Sequence, residues 1–408
     1  MNEQEIKELI AGILSGKYVA QSLPYSLFNQ TSKQLIEAFE GGWGENKLSH
    51  PDVYSPDLEL FNSFRKNLYY FSANKTAKQV KELQALIHDE QGNRRTVNEF
   101  TAEALKVDEA FNKRYLEAEY DMTFKLAHSG REWRDIEATK ETFPILEWVA
   151  VMDANTRHGE FNGIKLPVDH PFWDSHPIPY QWGCRCRYRQ HRKADITTTI
   201  PDVPEPSKLF RNNVYKSQQV WKNDIHPYGQ DLSKEDRAGV TKLINDAIAN
   251  LPLIKLKTSN GSAAVHPYHA PDKPDELEKN IRASLLLAEK YGHDIKLLPE
   301  LSTEADIKHP DAEIDNSLAE YKRPGTRTGV YNRLREAVDQ KVKVVVFDNK
   351  KLSAETIYRA TKGYFQQRKE ETTIKELWAI VNGTAVKTKL PITEQFYNDL
   401  LKAEGETP

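Results

Sequence analysis

Asp311, Glu320 and Lys322 lie close together in the chain, inside the strings Pro310-Asp311 and Glu320-Tyr321-Lys322. Two acids and a lysine are the residue types that cut a phosphodiester with a divalent metal. Glu320 and Lys322 are two apart on a predicted strand, so both face the same side. Asp311, on the strand before, can be brought beside them. Two carboxylates can hold Mg²⁺ or Mn²⁺, hard cations that take oxygen ligands and keep several waters. The metal would polarise the scissile phosphate and lower the pKa of a bound water. Lys322 would orient that water or neutralise charge in the transition state. The plainer alternative is a solvated strand edge carrying a Glu/Lys pair.

The elements around these residues decide whether such a cluster can form. Pro274 opens a helix with Leu277, Ile281, Leu285 and Ala288 on one face, and Gly292 is a natural stop. Strands are expected at Ile295–Leu298, Ala312–Ile314 and Leu318–Lys322, then a helix over Thr328–Gln340 and a buried strand over Val342–Phe347. Ser353 caps a further helix, and Leu377–Val381 is read as the last strand. Helix, three strands, helix, strand predicts a mixed α/β sheet with helices on its faces. String, spacing and element order together resemble the PD-(D/E)xK nucleases.

A narrower resemblance runs from Asp275 to Lys389, through Lys290-Tyr291-Gly292-His293, Leu297-Leu298-Pro299-Glu300, His309-Pro310-Asp311-Ala312 and Glu320-Tyr321-Lys322. This stretch resembles the C-terminal tRNase domain of contact-dependent growth-inhibition (CdiA) toxins. The resemblance implies cleavage of a nucleic acid, often tRNA, in a target bacterium, with an immunity protein as partner. A DNA endonuclease and an inactive nuclease fold remain the alternatives. The PD-(D/E)xK resemblance also implies a first-helix glutamate at the metal: Glu278 is the candidate, with Glu276 and Glu289 as rivals. Glu300, after the first strand, could join them. Arg323, Arg327, Lys362, Gln366 and Arg368 could hold the phosphate backbone, and Tyr321, Tyr331 and Tyr364 could stack bases. Surface solvation or core packing is the alternative for each.

A second constellation lies upstream. Asp153, His158, Cys184 and Cys186 are ligand types for a structural tetrahedral Zn²⁺, although Cys-x-Cys is tighter than the usual spacing. The alternative is a small loop-rich core held by Trp148, Phe172, Trp173 and Trp182, with Arg157 paired to Asp153. The surrounding block contains Glu147-Trp148, Asp153-Ala154-Asn155-Thr156-Arg157-His158, Phe161-Asn162-Gly163, Asp169-His170-Pro171-Phe172-Trp173 and Trp182-Gly183-Cys184-Arg185-Cys186. Together with Tyr70–Thr76 and Leu116–Tyr120, it resembles the Mu F-like phage head-morphogenesis domain over most of Ser55–Arg189. One departure is that Arg157 and His158 are adjacent, where the family commonly places two residues between them. The resemblance implies a minor head protein with portal or capsid proteins as partners, found in the virion and, after delivery, in a bacterial cytoplasm.

The rest of the chain gives the frame. Ile6, Leu9, Ile10 and Ile13 recur at helical spacing, and Gly41-Gly42 would end a second helical run. Ser55-Pro56 starts a helix with Leu58, Phe61, Phe64, Leu68 and Phe71 on one stripe. Another helix is expected over Glu99–Leu126, and a strand over Leu146–Met152. The Pro- and Thr-bearing stretch Ile196–Ser207 and the stretch Thr258–Asp275 read as linkers, with a short helix over Lys234–Leu251. The expected division is a head-morphogenesis domain at 1–195, a linker at 196–273 and a nuclease-like domain at 274–408. The expected fold is multidomain α+β: a mostly helical first part with a small loop-rich β block, then an α/β domain. At 408 residues, with 29% charged and 38% hydrophobic residues, ordinary cores can form. A net charge of −3 does not by itself imply nucleic-acid or membrane binding, because phosphate contacts can be local. Two cysteines one residue apart make no secreted disulfide framework. No apolar run reaches a membrane span, and the acidic start has no apolar signal region, so a reducing cytoplasm is expected.

Overall fold

Leu9, Ile10 and Ile13 are buried along one side of α1 (Glu3–Leu14), as their spacing predicts. The computed structural model describes residues 3–301, 309–348, 351–367 and 372–406. These fall into two units, Met1–Pro51 with Leu60–Ala247, and Asp52–Glu59 with Ile248–Pro408.

In the first unit, α2 (Tyr25–Trp43) does not stop at Gly41-Gly42; it ends at Gly44, whose φ is +82°. Gly42 is needed for a close approach: a Cβ there would lie 2.1 Å from the Phe124 carbonyl oxygen. α3 (Leu58–Ala85) buries Phe61, Phe64, Leu68 and Phe71. Thr96 and Glu99 form a capping box at the start of α4 (Val97–Glu109). A π-helical turn, Ala110–Tyr115, leads directly into α5 (Leu116–Thr139), so this helical run extends well beyond the expected Leu126.

The loop-rich block follows. β1 (Ile145–Val149) is the centre of a three-stranded antiparallel sheet, flanked by β2 (Lys165–Pro167) and β3 (Arg187–His191), with a short α6 (Phe172–Ser175) between the last two. Trp148, Phe172 and Trp173 are buried in its core. Trp182, expected there too, is 40% exposed and sits against Phe210 and Trp221.

The expected linker over 196–273 is instead divided between the two units. Residues around α7 (Val214–Ser217) and up to α8 (Lys234–Ala249) contribute Phe210, Val214, Val220, Trp221 and Tyr228 to the aromatic core of the first unit. Trp221 is fixed by hydrogen bonds in both directions with Asn67, at 2.8 and 2.9 Å, and by its indole N–H to Thr123 at 3.0 Å. Aromatic side chains of this size bring enough apolar area to order a segment whose Pro and Thr content alone reads as linker.

In the second unit the sheet starts earlier than expected. β4 (Ile254–Leu256) and β5 (Ser262–Val265) precede α9 (Pro274–Tyr291), which ends at Gly292 with φ +71°. Then come β6 (Asp294–Leu297), β7 (Ala312–Ile314), β8 (Ser317–Lys322), α10 (Arg327–Asp339) and β9 (Val344–Asp348), in the predicted order. The chain continues past the expected last strand: α11 (Ala354–Gln367) and β10 (Glu376–Val381) are followed by β11 (Thr384–Lys389) and α12 (Glu394–Glu404). Among the described residues these strands form one mixed sheet in the order β11-β10-β9-β8-β7-β6-β5-β4.

All of β9 is buried, because both faces of the sheet are covered. Val344 and Val346 join the core beneath α9. Val345 and Phe347 join the core with α10, α11 and α12. Val53 and Leu58, from the segment Asp52–Glu59, complete the first of these cores. Among the described residues no helix is long and apolar enough to cross a membrane.

Candidate functional site

The β7–β8 hairpin sets the register of the acidic cluster. Its two-residue turn, Asp315-Asn316, has φ of +46° and +64°, the left-handed pair that tight hairpins need. Ala312 then faces Ala319, which places Asp311 beside Glu320 at the open end of the hairpin. β8 runs parallel to β9 with Glu320 opposite Val345 and Lys322 opposite Phe347. Glu320 and Lys322 therefore share the face covered by α10, while Tyr321 turns to the other core.

The hydrogen bonds agree with that register. Asp311 N–H donates to Glu320 Oε2 at 2.9 Å, and Tyr321 N–H donates to Asp311 Oδ2 at 2.8 Å. Lys322 Nζ donates to Glu320 Oε1 at 2.7 Å and lies 3.5 Å from Glu336 on α10. Glu320 and Lys322 are buried. Burial, and then the Glu320 charge, push Asp311 up to about 7. Two carboxylates held together out of water repel each other, and a bound cation relieves that repulsion. The site's chemistry thus fits a hard divalent cation.

The cluster forms part of the wall of a cavity of about 1140 Å³. Glu276 and Glu300 line the same cavity, as do Lys273, Lys279, Arg323 and Arg333. Glu278, the first-helix candidate, does not: it is exposed and lines a separate depression with Arg282 and Asp348. Asp275 and Glu276, both in the first turn of α9, reach the cavity, and the Glu276 charge adds to the upward push on Asp311. Helical geometry explains the difference, since residues two apart point to different sides. Glu289 is exposed and accepts from Ser259 N at 2.6 Å, far along α9. Glu300 pairs with Lys273 at 2.9 Å.

Among the described residues proposed as phosphate contacts, only Arg323 lines the cavity. Arg327 and Gln366 are exposed elsewhere, Lys362 donates to the Tyr358 hydroxyl at 2.7 Å, and Arg368 lies outside the described residues. Tyr321 and Tyr364 are core residues, and Tyr331 packs edge-on against Tyr364 with 5.8 Å between ring centroids. The Tyr321 hydroxyl meets Ser284 at 2.8 Å inside the core, and burial pushes it up.

Sequence reading missed a buried polar chain behind the cavity. His269 Nδ1 is 2.7 Å from the Leu298 carbonyl, and its Nε2 is 2.9 Å from Asn280 Nδ2. Asn280 Oδ1 accepts from Arg323 at 2.7 Å, and Arg323 also reaches Asp348 at 3.3 Å. The available signal was Asn280 and Ser284, two polar residues four apart on the buried face of α9.

In the first unit, His158, Cys184 and Cys186 come together. Asp153 does not join them: it is exposed and forms a two-pronged ion pair with Arg185, at 2.7 and 2.8 Å, not with Arg157. The Cys186 thiol beside it draws Cys184 down to about 6. The upstream blocks around Lys75 and Glu119 also meet. Their side chains form a buried ion pair, and the Tyr228 hydroxyl donates to Glu119 at 2.6 Å.

Over 72 residues, 17% of the chain, the sequence is 32% identical to capsid assembly protein F of Escherichia phage Mu. That match is 16% of the phage protein, so the chain spans about a sixth of the length of this curated relative. The likeness supports a relation to phage head morphogenesis. No family model matches the chain, and no solved structure matches it.

Proposed function

We propose that the chain is a phage head-associated protein whose second unit is a metal-dependent nuclease. The observation that carries the nuclease reading is the hydrogen-bonded cluster of half-buried Asp311 with buried Glu320 and Lys322, at the wall of a cavity that also holds Lys273, Lys279, Arg323 and Arg333. Asp311 and Glu320 would hold Mg²⁺ or Mn²⁺, with Glu276, which lines the same cavity, as a further acid. The metal, when bound, supplies Lewis-acid polarisation of a phosphate and an activated water. Lys322 neutralises charge that develops on the phosphate oxygens. Arg323, Lys279 and Arg333, which line the same cavity, would take the flanking phosphates.

The CdiA-like residues favour tRNA as the substrate, with an immunity protein as the partner that silences the enzyme in its own host. The partial likeness to the Mu protein favours portal or capsid proteins as partners of the first unit. The nuclease would then travel with the virion and act in a bacterial cytoplasm. Incubating the purified full chain with tRNA and with plasmid DNA, with and without Mg²⁺, tests the enzymatic part. Mg²⁺-dependent cleavage of tRNA is the expected result. Cleavage of DNA alone keeps the mechanism and replaces the substrate. Cleavage of neither, by a folded chain supplied with Mg²⁺ or Mn²⁺, overturns the nuclease reading.

A further inference from the structure

We propose that His158, Cys184 and Cys186 of the first unit hold a zinc ion through three protein ligands, with a water in the fourth position. The three ligand atoms lie within 4.8 Å of one another. His158 Nδ1 is 3.3 Å from Cys186 Sγ and 3.7 Å from Cys184 Sγ. Zinc bonds of ~2.3 Å to sulfur and ~2.0–2.1 Å to nitrogen, opened to a tetrahedral angle, separate sulfur from nitrogen by about 3.6 Å. The observed spacings bracket that value, so a zinc ion fits with small adjustments of side chains. Two thiolates and an imidazole are borderline-soft donors, which suit zinc and not the hard cation expected at the acidic cluster.

The surroundings are those of a metal site. The second ring nitrogen of His158, Nε2, is 2.9 Å from the Gln181 side-chain amide nitrogen. Amide nitrogen and oxygen are interchangeable by a flip, and with the oxygen turned inward Gln181 accepts from the ring N–H. That fixes the tautomer and leaves the Nδ1 lone pair for the metal. A tight turn, Cys184 N–H to the Gln181 carbonyl at 3.0 Å, ties the outer-shell amide to the first thiol.

The residue between the cysteines explains how a Cys-x-Cys spacing works here. Arg185 is drawn outward by Asp153 and also donates to the Asn155 carbonyl at 3.1 Å. The ion pair clamps the loop that precedes His158 onto the loop that carries both thiols. Asp153 is thus a positioning residue and not a ligand. A small hollow of about 10 Å³ adjoins His158 and Cys186. That is room for one water, the complement a three-ligand zinc needs.

The test uses the full chain, purified in reducing buffer without a metal-affinity step. Elemental analysis is expected to find about one zinc per chain, as for a stoichiometric protein site. Cobalt titrated into the stripped protein should give tetrahedral visible bands and a thiolate charge-transfer band. Gln181→Ala should weaken zinc binding by about 10- to 100-fold, the usual effect of losing an outer-shell partner. Asp153→Ala should leave the cobalt spectrum unchanged in shape, because its carboxylate is not a ligand. Cys186→Ser should lose the metal; if that variant does not fold, the cobalt spectrum of the unaltered chain decides. No zinc together with no thiolate band on adding cobalt overturns the proposal. A full zinc equivalent retained by folded Cys184→Ser/Cys186→Ser protein, or a changed cobalt spectrum in Asp153→Ala, overturns the ligand set.

Discussion

Asp311 and Glu320 each accept a backbone N–H from the other's strand: Glu320 Oε2 from Asp311 N, and Asp311 Oδ2 from Tyr321 N. The hairpin that positions the two acids also occupies one oxygen of each. Lys322 takes the second oxygen of Glu320. The pair is thereby fixed by the register of β7 and β8 and does not depend on flexible side chains finding each other.

Metal binding should depend on pH through Asp311. Burial and the neighbouring Glu320 charge hold its carboxyl up at about 7, against an ordinary 3.8. The metal needs the ionised form, so a proton must leave. Affinity for Mg²⁺ or Mn²⁺ should fall by about tenfold for each pH unit below 7, the limit for release of one proton. Calorimetric titrations at pH 6 and pH 8 measure this, and Asp311→Asn should abolish binding at both.

Stability without metal should move in the opposite direction. A carboxyl whose folded pKa is raised binds more protons folded than unfolded between 3.8 and about 7. Its contribution is fully present below 3.8 and is lost as the pH rises through 7. The metal-free second unit should therefore melt lower at pH 8 than at pH 5, and saturating Mg²⁺ at pH 8 should restore it. Asp311→Asn should flatten this pH dependence, which melts in EDTA will show.

Lys322 neutralises Glu320 inside the fold, at 2.7 Å. It is buried with Glu320, so Lys322→Ala leaves an uncompensated buried charge and should cost about 3–5 kcal/mol. Lys322→Ala with Glu320→Gln removes both charges and should recover much of that stability. Melts of both variants should show the recovery, while cleavage stays absent in both.

The stretch 208–247 should behave as core. Trp221 is 1% exposed and hydrogen-bonded to Asn67 and Thr123. Trp221→Ala should destabilise the first unit by about 3–5 kcal/mol, whereas a true linker would tolerate the change. Limited trypsin digestion should likewise spare 208–247 until the first unit unfolds.

The pieces legible in the sequence were those with short-range signatures. Pro274 and Gly292 bracket α9, and Ala312–Ile314 and the Glu320-Tyr321-Lys322 strand were found with their shared face. Long-range partners were not legible. That Glu276 and not Glu278 reaches the cavity depends on how α9 is rolled against the sheet, and that Arg185 captures Asp153 depends on two loops meeting. β4 and β5 were lost because short strands of Ile, Lys, Ser and Ala resemble loop, and their order comes from pairing with β6 and with each other. β11 did carry a signal that went unread: Asn382-Gly383, with φ of +48° and +77°, is a hairpin turn of the preferred type.

Single-turnover cleavage of tRNA by the full chain and its Glu320→Gln variant tests whether Asp311, Glu320 and Lys322 form a metal-dependent phosphodiester-cutting centre. Glu320→Gln keeps the shape of the side chain, so parallel melts will show whether the fold is intact. The expected result is Mg²⁺-dependent cleavage by the unaltered chain, none in EDTA, and at least about a hundredfold loss in the folded variant, on the scale of removing one charge-stabilising group from an active site. Cleavage that persists in EDTA, or full activity of Glu320→Gln, would contradict it.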